Sequence, residues 1–241
     1  MHMRSAAKAI GPQAFLARLP LFHGLAPDEL ERLAAGTTRR LLARGEQLFR
    51  EGEVPTGIHA LVYGRIKLHA RVPGGKDRVL DVVMPGSTFG EPVMFLGKPY
   101  FVTATALADS LALHVSKTTI FDELTRNPRF ASHMIAALAQ RVEALVREVQ
   151  EYALGTATRR LVAWLLRRRE VATAEHEAVV VLPAAKRVLA SQLGLSAEHL
   201  SRVLHDLSAR GLIAVRGRQV IVCDATALRA WHAAAEDARV P

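Results

Sequence analysis

Between residues 41 and 115, apolar and polar positions alternate over short stretches that glycine and proline interrupt. Residues 47–49, 57–62, 65–68 and 78–83 carry the alternation and predict strands. Gly52, Gly64, Pro73-Gly74-Gly75 and Pro85-Gly86 stand between them and supply turn geometry. Short strands at such regular spacing predict a small barrel or a jelly-roll-like double sheet. Ahead of them, residues 27–33 predict a short helix, with Pro27, Asp28 and Glu29 in its first turn.

The period changes at Asn127-Pro128, a helix cap followed by proline in the first turn. Ile135, Leu138, Val142, Leu145, Val149 and Tyr152 then recur in alternating steps of three and four. Such a stripe is the seam of a coiled coil and predicts a parallel partner helix. The alternative is a helix packed on its own domain. Gly155 is suited to end the helix and Thr156 to cap the next one. Three regions follow: a sensor domain over 1–126, a long dimerisation helix over 127–154 and a C-terminal unit over 155–241.

The C-terminal unit holds the sharpest pattern. Residues 184–193 predict a helix, Gly194-Leu195-Ser196 a turn, and residues 197–210 a second helix capped by Ser196. Leu200, Val203, Leu204 and Leu207 fall on one face of the second helix. Glu198, Ser201 and Arg202, three and four apart, share the opposite face. This is a helix-turn-helix with its second helix placed to enter a major groove. Arginine reads guanine O6 and N7 there, and glutamate accepts from cytosine N4. The alternative for Glu198 and Arg202 is a surface ion pair. Residues 212–215 and 219–222 then predict a hairpin, whose tip Arg216-Gly217-Arg218 suits phosphate contact.

Charge supports the same direction. Over 241 residues, 32 Lys and Arg stand against 23 Asp and Glu, a formal net charge of +9 that favours polyanionic partners. Residues 155–241 contribute 13 basic and 8 acidic side chains. With Cys223 as its single cysteine, the chain makes no internal disulfide and holds no iron–sulfur cluster by itself. No apolar run is long enough for a membrane span or a signal peptide, so a soluble, cytoplasmic protein without a membrane partner is expected. No metal-ligand spacing, nucleophile motif or phosphate-binding loop is present, so neither catalytic nor metal-binding residues are expected. Glu51 and Glu53 read as solvated turn residues.

Phe89-Gly90-Glu91 after Pro85-Gly86, the seam from Leu138 to Tyr152, and the run from Leu193-Gly194-Leu195-Ser196 to Ser201-Arg202 together resemble the CRP/FNR superfamily of bacterial transcription regulators. The resemblance extends from about Leu21 to Trp231. It implies an α+β chain: an N-terminal β-roll (a double-stranded β-helix like those that bind cyclic nucleotides), a long dimerisation helix and a C-terminal winged helix-turn-helix. The Glu-x-x-Ser-Arg spacing is similar to the anaerobic-regulator branch, whose site is a TTGAT-type inverted repeat. A homodimer would then place two recognition helices in successive major grooves of a palindromic operator, with RNA polymerase as a further partner if it activates. Glu198 and Arg202 would read a G·C pair, Ser201 would lie near a thymine, and Lys186 would reach a phosphate. Ser196, His199, Arg216 and Arg218 complete the expected DNA-binding set.

In the cyclic-nucleotide-binding members, a glycine–glutamate pair holds the ribose and an arginine–serine pair the phosphate. Gly90 and Glu91 match the first, but Pro99-Tyr100-Phe101-Val102 stands where the second belongs, and Ala144 and Leu145 replace the base-contacting hydroxyls. Cyclic AMP is therefore not expected. The expected effector pocket is apolar, formed by Met84, Gly90, Glu91, Met94, Phe95, Tyr100 and Phe101 with Val142 and Leu145 of the long helix. The stretch around it resembles the nitric-oxide-responsive denitrification regulators, a branch associated with haem, which makes haem the candidate cofactor. An axial ligand would come from His23, His59, His69, His114 or His133, and no spacing singles one out. The alternative for the aromatic and methionine cluster is plain core.

Overall fold

A computed structural model describes residues 11–71, 77–154, 156–168, 178–182 and 185–237. The chain divides into two compact units, residues 1–142 and 143–241.

In the first unit, helices α1 (Pro12–Leu16) and α2 (Pro27–Ala35) precede eight strands. These are β1 (Thr37–Leu42), β2 (Gln47–Phe49), β3 (Gly57–Tyr63), β4 (Ile66–Arg71), β5 (Asp77–Val83), β6 (Thr88–Phe89), β7 (Thr103–Ala106) and β8 (Ser110–Ser116), with α3 (Glu91–Leu96) between β6 and β7. They form two antiparallel sheets, ordered β1-β8-β3-β6 and β2-β7-β4-β5. The four strands and the helix predicted over this stretch all form, so the roll expected from the alternation is present.

Strand β3 is buried on both faces. Its Leu61 joins Phe49, Ile66, Phe89, Tyr100 and Ala104 between the sheets. Its Ile58 and Ala60 face the other way, into a second core with Leu16, Phe22, Leu33 and Met94. Ile120 of α4 (Lys117–Arg126) and Phe130 and Met134 of α5 (Pro128–Leu154) complete that second core. Arg32 of α2 grips the buried Glu123 of α4 with two hydrogen bonds of 2.9 Å, which fastens the N-terminal helices to the roll. Asn127 caps α5 as expected, its Oδ1 accepting from the Arg129 and Phe130 amides at 3.0 and 3.3 Å.

The second unit contains α6 (Ala157–Arg168), β9 (Ala178–Val181), α7 (Lys186–Gln192), α8 (Ala197–Ala209), β10 (Ile213–Arg216), β11 (Gln219–Val222) and α9 (Ala225–Asp237). Thr156 starts α6, its Oγ1 accepting from the Arg159 amide, while Gly155 lies outside the described residues. The expected hairpin gains a third strand, giving a sheet ordered β10-β11-β9. One core holds the unit, built from Leu161, Trp164, Leu189, Leu200, Val220 and Leu228 among others. The first helix of the predicted pair is shorter than its pattern: Ala185 is its cap, and Ala184 lies outside the described residues.

Candidate nucleic-acid interface and effector pocket

Helix α8 is amphipathic in the sense required of a groove reader. Leu200, Val203, Leu204 and Leu207 are at most 3% exposed, while Glu198, His199, Ser201 and Arg202 are open to solvent. Ser196 caps it, its Oγ accepting from the His199 amide at 3.1 Å. The turn before it depends on Gly194, at φ +65°, a conformation that costs a residue with a Cβ. Lys186 stands exposed in the first turn of α7.

The hairpin tip exposes Arg216 and Arg218, but the two differ. The Leu182 amide donates to the Arg218 carbonyl at 2.7 Å, and the Arg218 guanidinium donates to the Leu182 carbonyl at 3.1 Å. Arg218 thus clamps the chain beyond β9 as well as presenting charge to solvent.

Inside the β-roll, Phe49 and Tyr100 stack with ring centroids 3.7 Å apart and planes within 8°. His59 lies against both Phe49 and Phe89, at 5.5 and 5.4 Å, and its Nε2 shares a hydrogen bond of 3.3 Å with the Tyr100 hydroxyl. His114, its direct partner across β3 and β8, lies 5.0 Å away. Gly90 takes φ +95°, and a side chain there would meet Tyr100 and His59 within 3.7 Å. The next residue, Glu91, is buried at the start of α3; burial raises its pKa, against a hydrogen bond from Thr88 and the charge of Arg141. Arg141 itself reaches Asp81 at 3.4 Å.

A family model described as the cyclic nucleotide-binding domain matches residues 39–127, the roll and α4. A second, described as the Crp-like helix-turn-helix domain, matches residues 159–231. The chain belongs to the CRP/FNR superfamily. This CRP/FNR regulator is 28% identical to the cyclic AMP receptor protein of Thermus thermophilus over 87% of its own length and 94% of that relative. The solved structure of DNR from Pseudomonas aeruginosa is 30% identical, with 90% of this chain and 96% of that one covered at a TM-score of 0.50. FixK2 from Bradyrhizobium japonicum, at 22% identity, shares the fold with a TM-score of 0.71 over 80% of this chain and 96% of that one. The protein is a DNA-binding transcription regulator and not an enzyme. Among the described residues, no helix is long and apolar enough to cross a membrane.

The roll of this CRP/FNR regulator redistributes the expected pocket residues. Tyr100 and Glu91 are buried beside Gly90, and Met84 is half-buried. Met94 is fully buried but packs in the other core, against the N-terminal helices and α5, because α3 turns it away from the sheets. Phe95 lies 5.8 Å from Phe121 of α4 rather than inside the roll. Phe101 is 64% exposed, since backbone bonds from Gly52 to Tyr100 and from Tyr100 to Glu53 fix the turn with Tyr100 inward. Val142 and Leu145 are exposed on the long helix. Phe49, His59, Phe89 and His114 form the actual interior wall. Strand register sets His59 opposite His114.

The packing also tests the haem expectation. A haem needs a slot and an axial nitrogen. The roll interior is filled by the Phe49–Tyr100 stack, and the ring nitrogens of His69 are taken by Asp77 and Thr105, each at 2.9 Å. His114 Nε2 bonds Thr56 at 3.1 Å, while His23 and His133 are exposed on the helical side. His59, the remaining candidate, is held against Phe49 and Phe89 with its Nε2 on the Tyr100 hydroxyl, so these residues do not fit a haem inside the roll.

Burial, with the charges of His114 and Arg40, pushes the His59 imidazole down to a pKa of about 3. Unfolded His59 binds a proton below about pH 6.5 that the folded ring refuses, so this residue lowers stability as pH falls towards 3. Its contribution amounts to about 1.4 kcal/mol per pH unit in that window. Urea melts of His59→Phe at pH 7, 6 and 5 should fall off less steeply with acid than those of the parent. Equal slopes would assign the acid sensitivity elsewhere.

Proposed function

We propose that the protein acts as a homodimer that reads a TTGAT-like inverted repeat through Glu198, Ser201 and Arg202, one α8 in each of two successive major grooves. The observation that carries this is the exposed Glu198–Ser201–Arg202 face above the buried Leu200–Val203–Leu204–Leu207 face of a capped helix. Lys186, Ser196, His199, Arg216 and Arg218 flank it as backbone contacts. The dimer is supported by the stripe along α5: Ile135, Val142, Leu145 and Val149 are 45–68% exposed in the single chain, and Leu138 is half-buried against the roll. The side chain of Tyr152, the last position of the predicted seam, lies outside the described residues. A DNA partner supports a cytoplasmic location, and RNA polymerase would be a further partner when the protein activates.

The effector is a small molecule other than cyclic AMP. Although relatives are named for cyclic AMP, Tyr100 and His59 fill the space over Gly90, and Phe101 and Val102 stand where that ligand's phosphate would need a cation. Neither cyclic AMP nor haemin should therefore bind stoichiometrically: calorimetry with the nucleotide should be flat, and haemin should give no saturable Soret shift. One-to-one uptake of either would overturn that half of the proposal. The operator half is tested by fluorescence anisotropy with a TTGAT-N4-ATCAA duplex and a scrambled control in matched salt, with equal affinity for both as the refuting outcome.

A further inference from the structure

We propose that a cleft on the rim of the β-roll, bounded by β1 and the turn through β2, binds a small organic oxyanion through the Arg40 guanidinium. The cleft measures about 510 Å³, within the range of small-molecule sites, and Arg40, Glu46, Phe49, Arg50 and Glu53 are among its lining residues. Gly90 and Glu91 do not line it, so this site is separate from the one that resembles the nucleotide pocket.

Strand register sets the orientation of Arg40. Thr38 pairs with His114, which pairs with His59, and Arg40 pairs with Ala112, which pairs with Leu61. Leu42, two residues further along the same face of β1, joins the core between the sheets. Arg40 therefore belongs to the row that faces the roll interior, at its exposed edge. Among the described residues no carboxylate pairs with it. Its neighbours in the cleft are partly committed: Glu46 accepts from the Ala43 amide at 2.8 Å, and Arg50 donates Nε to Gln47 at 2.6 Å. The two terminal nitrogens of Arg50 remain to assist Arg40.

A second, independent observation lies behind the cleft. His59 is almost wholly buried, and its Nδ1 has no hydrogen-bond partner. Its ring packs on Phe49, which is itself a wall of the cleft. Burial pushes both His59 and His114 down, and the nearby charge of Arg40 adds to the effect at each ring. Arg40 thus stands at the edge of the roll unpaired, although Glu46 and Glu53 line the same cleft. A guanidinium in that setting recognises a carboxylate or a phosphate by two parallel hydrogen bonds. Glu53 beside it disfavours a polyanion and suits a ligand whose far end donates hydrogen bonds.

The test uses the full-length protein with histidine Cε1 labelled for NMR, titrated with inorganic phosphate or with succinate while chloride holds the ionic strength constant. A saturable shift of the His114 signal, and a rise in its titration midpoint, is expected because the bound anion offsets Arg40. Arg40→Gln should weaken that binding at least tenfold, Arg40→Lys should weaken it less, and Arg39→Gln, on the opposite face of β1, should change it less than twofold. Stronger binding of phosphate assigns a phosphorylated ligand, and stronger binding of succinate a carboxylic acid. Shifts that grow linearly with either anion and match those in chloride, or that persist unchanged in Arg40→Gln, would overturn the proposal. Because no DNA is present, neither result depends on the operator.

Discussion

Replacing Val142 and Leu145 together by aspartate is expected to convert the protein to a monomer and to weaken operator binding by about a hundredfold or more. In the single chain, Ile135, Val142, Leu145 and Val149 leave between 45% and 68% of their surface in water. Full burial of such side chains is worth about 1.5–3 kcal/mol each, roughly half of which remains to be gained here, and two-fold symmetry counts every one twice. That sum meets the roughly 4–15 kcal/mol that association costs. Two aspartates per helix would remove the apolar gain and set like charges against one another in a dry seam. Sedimentation velocity at micromolar concentration reads the change directly. Gln140→Asp, on an exposed position off the stripe, adds one negative charge to the same helix and should leave the dimer intact. A double variant that still sediments as a dimer would place the subunit contact elsewhere.

Arg202→Ala should lose about 1–3 kcal/mol of affinity per half-site for the inverted repeat, roughly 5–150-fold, while scrambled DNA is bound nearly as before. The difference arises because a bidentate contact to guanine exists on one sequence only, whereas phosphates are present on all. Arg216→Ala should behave the other way, weakening both duplexes alike and flattening the salt dependence by about one unit. Anisotropy titrations on the two duplexes at two salt concentrations separate these patterns. Equal losses on both for Arg202 would make it a backbone contact.

How far the sequence reveals this molecule depends on whether its signals are local. Gly194, Ser196 and the apolar spacing of Leu200, Val203, Leu204 and Leu207 define α8 within fifteen residues, and the structure reproduces its cap, turn and inner face. The Asn127 cap and the seam of α5 are equally local. The roll interior is not. Ile58 and His59 are adjacent in a continuous apolar stretch, and only pairing with β8, some fifty residues on, assigns one to each core. Met94, Phe95, Tyr100 and Phe101 are neighbours in sequence, but Met94 and Phe95 pack with the helical core, Tyr100 with the core between the sheets, and Phe101 faces solvent. Strand β9 is only four residues long and lacks alternation, so no local pattern marks it.

Strand β1 has a consequence for synthesis. Its only sheet neighbour among the described strands is β8, with Thr37 opposite Val115, so its hydrogen bonds wait until nearly eighty further residues have been made. At about 5–20 residues per second the nascent strand stays unpaired for roughly 4–15 s. An apolar segment in that position would be a template for intermolecular pairing on the ribosome. The strand instead carries Arg39 and Arg40 at its centre, with Arg44 just beyond, and like charges keep neighbouring nascent chains apart until β8 arrives.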